Sequence, residues 1–97
     1  MVIISKKILK QFFEKVPAAT NSVLEWYGKT KDADWSDFAE LKKTHPSADY
    51  VGNGLFVFNI GGNKYRLIAR IIFRVRTIYI RFIGTHKEYD KSRLSGL

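Results

Sequence analysis

The 97-residue sequence contains no cysteine, only two prolines and no long apolar run. Without cysteine, neither a disulfide nor a thiolate zinc site can form. A transmembrane helix needs roughly 18–20 consecutive apolar residues, and Arg70, Arg74, Arg76 and Arg81 interrupt the longest candidate. No charged segment precedes the first apolar residues, so a signal peptide is not predicted either. We therefore expect a cytoplasmic protein that makes no use of a membrane.

Acidic residues are scarce in the C-terminal part of the chain. From Ile60 to Leu97 there are nine Lys or Arg and two acids, a balance of +7, whereas Met1 to Asn59 holds eight and seven, a balance of +1. The formal charge of +8 is therefore almost confined to this part, which also contains every arginine. Such a concentrated cationic field favours a polyanion, such as nucleic acid, as the partner. Charge alone leaves open a basic protein without such a partner.

Hydrophobic residues make up 45% of the chain, enough for one packed core, so we expect a single domain over residues 1–97. Three helices are predicted in the first half. Ser5 is the candidate N-cap of the first, which ends before Pro17. The second follows Thr20 or Asn21, and the third begins near Asp34 and stops before Pro46. His45, beside that proline in a polar loop, is predicted to lie at the surface.

After Gly54 the residues that are expected to face the core recur at every second position instead of at helical spacing, which predicts antiparallel strands. Gly61-Gly62 is the predicted two-residue hairpin turn, with Phe58 opposite Tyr65. In the next hairpin, Phe73 is predicted to pair with Ile78. The expected fold class is therefore α+β, with N-terminal helices packed on one face of an antiparallel sheet.

The other face of this sheet is predicted to be cationic. Alternation assigns it Arg66 and Arg70 from one strand, and Tyr79, Arg81, Ile83 and Thr85 from the next. In that register Arg70 and Arg81 lie side by side, which costs stability unless an anion sits between them. For each arginine the alternative is an ordinary solvated position.

Residues after Gly84 add proton-transfer chemistry to the cations. Cleaving RNA without a metal requires a base for the 2′-OH, cations for the phosphate and an acid for the departing 5′-oxygen. Lys64 and the strand arginines are candidates for the phosphate. His86 can act as acid or base near neutral pH, and Tyr89 can donate a proton or stack on a base. Each has a structural alternative, since His86 could cap the turn and Tyr89 could pack at the core edge.

Other side chains carry less chemistry. Lys87 is a candidate RNA contact, with a solvated surface lysine as the alternative. The two histidines are far apart in sequence and lack carboxylates at ligand spacing, so neither a metal site nor another cofactor is predicted.

Two segments, GNKYRLIARI and IYIRFIGTHKEYDK, resemble the HigB family of bacterial toxins, within the RelE-like group. EWYGKTKDADWSD and HPSADYVGNGLFVFNI extend this likeness over nearly the whole chain. The resemblance implies an α+β domain with a curved antiparallel sheet that cleaves mRNA, often on translating ribosomes. It also implies inhibition by a HigA-type antitoxin with a helix-turn-helix domain. The positions that match the RelE-like site are Lys64, Arg66, Arg70, Arg81, His86 and Tyr89.

Two segments depart from the family pattern: the Arg74-Val75-Arg76 turn is more basic, and the tail after Lys91 differs.

Two alternatives to a nuclease follow from the basic sheet. The first is a non-catalytic module that binds RNA or the ribosome, and the second is a protein whose basic face meets an acidic partner.

Overall fold

The computed structural model describes residues 1–92, in which five strands and four helices follow one another. In chain order they are β1 (Val2–Ile4), α1 (Lys6–Lys15), α2 (Thr20–Asp32), α3 (Phe38–Thr44), β2 (Asp49–Gly52), β3 (Leu55–Ile60), β4 (Tyr65–Ile72), β5 (Thr77–Thr85) and α4 (His86–Ser92). No helix within the described residues is long and apolar enough to cross a membrane.

The strands form one sheet in the order β1-β5-β4-β3-β2. All neighbours are antiparallel except β1, which runs parallel to β5 at one edge. The α+β fold class is confirmed, and the sheet is mixed because of β1. Parallel strands need a long connection between them, and the elements from α1 to β4 provide the connection between β1 and β5. The edge strand β2, short and largely exposed, is not predicted by the sequence pattern.

The helices follow the predicted apolar spacing, with differences at their starts. In α1 the buried residues are Leu9 and Phe12, and Pro17 opens a short 3₁₀ turn. Ser5 occupies the N-cap position of α1, although its side chain makes no capping hydrogen bond. The third helix starts at Phe38, not near Asp34, because the Asp37 carboxylate accepts a hydrogen bond of 2.9 Å from the Glu40 N–H.

The turn between β3 and β4 is longer than predicted. It spans residues 61–64, and both Gly61 and Gly62 have positive φ. Phe58 therefore lies opposite Leu67, and the predicted pair with Tyr65 is wrong by two residues. Because the side-chain period of a strand is two, this shift leaves every residue on its predicted face.

The hairpin between β4 and β5 differs more. Residues 73–75 form a 3₁₀ turn and Arg76 adopts a left-handed conformation, so Ile72 pairs with Thr77 and the predicted Phe73–Ile78 pair is wrong. Arg76 holds this turn by donating to the Phe73 carbonyl at 2.6 Å and to Asp34 at 2.7 Å.

Each face of the sheet carries an apolar cluster. Helices α1, α2 and α3 cover the larger one, which includes Phe58, Leu67 and Ile78. We call the opposite side the distal face. It holds a smaller cluster, and the residues of that cluster are Leu55, Val57 and Ile68, with Phe82 and Tyr89 packed against them. The distal face is therefore partly buried beneath α4, where the sequence predicted a solvated surface.

Candidate active site

Arg66 and Tyr89 make the central contact of the distal face. The Arg66 guanidinium carbon lies 4.8 Å from the centre of the Tyr89 ring, a cation–π geometry. Tyr89 also packs on the small apolar cluster, as its structural alternative predicted. The contact holds the guanidinium beside the ring, and the planar set of guanidinium donors suits recognition of an anion such as phosphate.

Two polar nitrogens are buried beside this contact without a partner in residues 1–92. They are Nε of Arg66 and Nε2 of His86. A buried polar group without a hydrogen bond costs about 1–3 kcal/mol, so each such group calls for an explanation. Two more, Nε1 of Trp26 and Oδ1 of Asn59, lie outside this contact. For the Arg66 N–H a phosphate oxygen is a suitable acceptor.

The position of His86 is set by a capping box at the start of α4. The Thr85 N–H donates to Glu88 Oε1 at 2.9 Å, and the Glu88 N–H donates to Thr85 Oγ1 at 3.2 Å. This exchange satisfies two backbone donors of the first turn. His86 is the first residue of the helix, so its ring leaves the backbone where β5 ends.

Glu88 also joins α4 to α1. Its second oxygen, Oε2, lies 2.8 Å from the Lys15 ammonium. The hydrogen bond from Lys15, followed by that from the Thr85 N–H, lowers the pKa of Glu88 below its usual value. Gly84 permits the close approach, because a Cβ there would lie 3.1 Å from the Glu88 Cβ.

Replacing Glu88 with Ala should lower both stability and activity. Loss of the cap should cost about 0.5–2 kcal/mol of unfolding free energy and should loosen the segment that carries His86. Glu88→Gln keeps an oxygen that can accept from the Thr85 N–H and should retain most of both properties. Urea unfolding and RNA cleavage, measured on both variants, provide the comparison. Equal losses in Ala and Gln would assign the effect to the Lys15 ion pair instead.

Arg70 and Arg81, predicted to be neighbours, are not paired, because the shifted hairpin places Arg70 opposite Tyr79 and a β-bulge farther along leaves Arg81 without a partner residue on β4. Ala69 pairs with Ile80 and Ile68 pairs with Phe82, so Arg81 is an extra residue between two pairs. The predicted pair of Arg70 and Arg81 is therefore wrong. Bulges occur often beside active sites because they redirect side chains.

The bulge also exchanges the faces of the residues that follow it. Ile83 joins the large core and Phe82 moves to the distal face, the reverse of the prediction. Thr85, also predicted on the distal face, pairs with the core residue Tyr65. The alternation of residues in β5 cannot reveal that Arg81 is an extra residue. Apolar residues precede and follow it, so either Phe82 or Ile83 could face the core.

Arg70 and Tyr79 form a directly opposed pair at the other end of the strands. One Arg70 nitrogen, Nη1, donates to the Asn53 carbonyl at 2.6 Å and so holds the β2–β3 loop. Arg66 and Arg70 are four residues apart, a distance of about 13 Å along a strand.

The remaining candidates lie around this face as exposed cations. Arg81 is exposed at the bulge, Lys64 in the β3–β4 turn and Lys87 on α4. Because Tyr65 pairs with Thr85, Lys64 and His86 are found at the same end of the sheet. The structure thus brings Arg66 against Tyr89 and places His86 three residues before Tyr89 on the same helix, a spacing that puts both on one face. Arg70 and Tyr79 lie farther along the strands.

A family model described as "HigB_toxin, RelE-like toxic component of a toxin-antitoxin system" matches residues 19–92. The chain belongs to this family of toxins. The match includes every candidate site residue and confirms the resemblance found in the sequence.

Curated HigB proteins align with this HigB-family toxin over most of both chains. "mRNA interferase toxin HigB" of Escherichia coli K12 is 36% identical over 100 residues, covering 93% of this chain and 88% of that protein. "mRNA interferase HigB" of Shigella flexneri gives the same identity and coverage. The protein of that name from Escherichia coli O6:H1 is 32% identical over 93 residues, covering 94% and 90%.

The capping residues of this HigB-family toxin were not among the sequence candidates. A sequence signal for them exists, since Thr85-His86-Lys87-Glu88 fits the Ser/Thr-x-x-Glu pattern of a capping box. The bond from Glu88 to Lys15 joins residues 73 positions apart and has no such signal.

His45 is half-buried and packs against the core, so its predicted position at the surface is wrong. Its ring contacts Trp26, Trp35 and Phe58, and its Nε2 lies 3.0 Å from Thr30 Oγ1. Burial, with a smaller effect of Lys29, lowers the pKa of His45 to about 4. The imidazole is therefore neutral at pH 7 and serves the packing of α2 and α3 against the sheet.

This lowered pKa predicts a loss of stability in mild acid. The unfolded chain binds a proton at His45 below about pH 6.5, whereas the folded protein does so only near pH 4. Stability should therefore fall as the pH drops through this window, by on the order of 1 kcal/mol because solvent screens this partly exposed ring. Urea unfolding between pH 7 and pH 4.5 measures the effect, and His45→Gln should flatten the curve. An equally steep curve in the variant would assign the acid sensitivity to other groups.

Proposed function

We propose that this HigB-family toxin is an endoribonuclease that cleaves mRNA without a metal ion. The observation that carries the proposal is the contact of the Arg66 guanidinium with the Tyr89 ring, on the helix whose first residue is His86. Arg66 and His86 each hold a buried nitrogen without a partner in residues 1–92. A cation and two proton-transfer groups at one place are what in-line attack of a 2′-oxygen on phosphorus requires. The curated relatives named mRNA interferases support the same activity.

In the proposed reaction, the 2′-OH loses its proton and its oxygen attacks the adjacent phosphorus. The bond from phosphorus to the 5′-oxygen breaks, and that oxygen takes up a proton. We assign the two proton transfers to His86 and Tyr89 together. Arg66 stabilises the charge that accumulates on the phosphate oxygens, in a partly buried site where such an interaction is strong.

The more distant cations are assigned to binding the rest of the RNA. About 13 Å separates Arg70 from Arg66, so Arg70 and its neighbour Tyr79 contact a different nucleotide from the one that is cut. Arg81, exposed at the bulge, contributes a second phosphate contact, and Lys64 and Lys87 steer the strand towards the site. Phosphate contacts of this kind give affinity that weakens with salt.

We further propose that cleavage takes place on translating ribosomes in the cytoplasm, and that a HigA-type antitoxin with a helix-turn-helix domain inhibits the toxin. Family membership supports a cognate antitoxin. The net charge of +8 supports association with a particle as rich in phosphate as the ribosome.

The decisive experiment is cleavage of a defined mRNA by the purified toxin in two reactions, one on translating ribosomes in Mg²⁺ buffer and one on the free RNA, at high toxin concentration, in EDTA. We expect discrete, rapid cuts on the ribosome and slow cuts of the free RNA that persist in EDTA. Cuts that require added Mg²⁺ at the chemical step would contradict the metal-independent mechanism. Intact RNA in every reaction, with the protein folded and bound to RNA, would favour the alternative of a non-catalytic RNA-binding module.

A further inference from the structure

A groove between α1 and α2 lies on the helical side of the molecule, away from the distal face. Its volume is about 330 Å³, and the side chains that form its apolar part are Leu9, Phe13, Leu24 and Tyr27. Leu24 is half exposed, although it is a large apolar residue in the middle of a helix. An apolar groove between two helices is the usual site for the apolar face of a third.

The rim of the groove is cationic. Lys6, Lys7 and Lys10 line it, and no acidic residue does. The ion pairs within residues 1–92 involve none of these three lysines. Lys6 lies 5.1 Å from the centre of the Tyr27 ring, which leaves its charge beside the groove.

The lysines are also unfavourably placed for α1 itself. Lys6 and Lys7 are in the first turn, which contains no acidic residue. The amino end of a helix carries partial positive charge, so cations there destabilise it and anions stabilise it. An acidic partner at this end would compensate both the lysines and the helix dipole.

We propose that this groove binds an acidic amphipathic helix of the cognate antitoxin. Apolar side chains at helical spacing would occupy the space around Leu24, and Glu or Asp residues beside them would pair with the lysines. The apolar floor favours a protein helix over RNA, which would need polar partners for its phosphates. The proposal rests on membership in a toxin-antitoxin family and does not depend on the proposed cleavage mechanism.

The test is the affinity of the full-length toxin for its cognate antitoxin, measured by calorimetry without RNA. The variants are Lys7→Glu/Lys10→Glu for the rim and Leu24→Asp for the floor. The matched control is Lys42→Glu/Lys43→Glu, which reverses the same number of exposed charges on α3. We expect each groove variant to lose at least about tenfold in affinity, with the control close to the wild type. The rim variant should also show a weaker dependence on salt.

The thermal midpoint of the free toxin separates binding from folding. Because an acid replaces a lysine near the amino end of α1, the rim variant should unfold at an unchanged or higher temperature while it binds more weakly. A merely structural role would lower both quantities. Wild-type affinity in both groove variants would overturn the proposal. The proposal would also be overturned if the toxin associated with itself and Leu24→Asp abolished that association. It would likewise be overturned if the groove variants lost RNA binding while their affinity for the antitoxin stayed intact.

Discussion

His86→Gln is expected to reduce cleavage of mRNA by about 10²–10⁴-fold while leaving the thermal midpoint nearly unchanged. An imidazole ring can accept and donate a proton in a reaction, and the glutamine amide cannot. The ring is half-buried and its Nε2 has no partner within residues 1–92, so the substitution removes few stabilising contacts. The measurement is single-turnover cleavage of a defined mRNA on ribosomes, beside thermal unfolding of the same preparation.

The matched control is His45→Gln, the same substitution at the other histidine. It should leave the cleavage rate unchanged at pH 7 and lower stability, because the ring of His45 is packed among Trp26, Trp35 and Phe58. His86→Gln should therefore lose cleavage and keep its stability, whereas His45→Gln should keep cleavage and lose stability. If His86→Gln instead unfolds the protein and spares the rate per folded molecule, His86 is a structural residue of α4.

Arg66→Gln is expected to lower the cleavage rate at saturating RNA by about 10²–10³-fold, the usual effect of removing one group that stabilises a developing negative charge. The change removes the positive charge and its contact with the Tyr89 ring. Arg66→Lys keeps the charge but loses the planar guanidinium, so its activity should be intermediate.

Arg74→Gln provides the control for net charge. Arg74 is an exposed residue of the turn before β5, at the far end of β4 from Arg66. Its loss should weaken RNA association slightly in low salt and leave the maximal rate unchanged. Equal rate losses in Arg66→Gln and Arg74→Gln would show that these arginines act only through overall charge.

Most of the element order and the chemistry of the site could be predicted from the sequence. Helix α1 follows from its apolar spacing and from Pro17, and the basic strands follow from their alternation. The candidate residues lie in a short segment, and the family pattern was visible there. These features depend on residues that are neighbours in the chain, where local geometry limits what each pattern can form.

The arrangement of the candidates could not be predicted in the same way. The four-residue turn after Ile60 and the bulge at Arg81 alter register, and register depends on packing between strands. A two-residue shift preserved the faces of β3 and β4, whereas one inserted residue reversed those of Phe82 and Ile83.

The sequence by itself determined that this protein is a small basic α+β toxin with its cations, His86 and Tyr89 concentrated near the C-terminus. Only the tertiary structure decided that Arg66 stands beside Tyr89 and that Arg70 and Arg81 are not paired. It also decided that His45 is a neutral, half-buried residue packed against the core and that Lys15 on α1 fixes Glu88 on α4. The physical reason is that composition and periodicity report which residues are available, while burial and long-range contacts depend on how the elements pack.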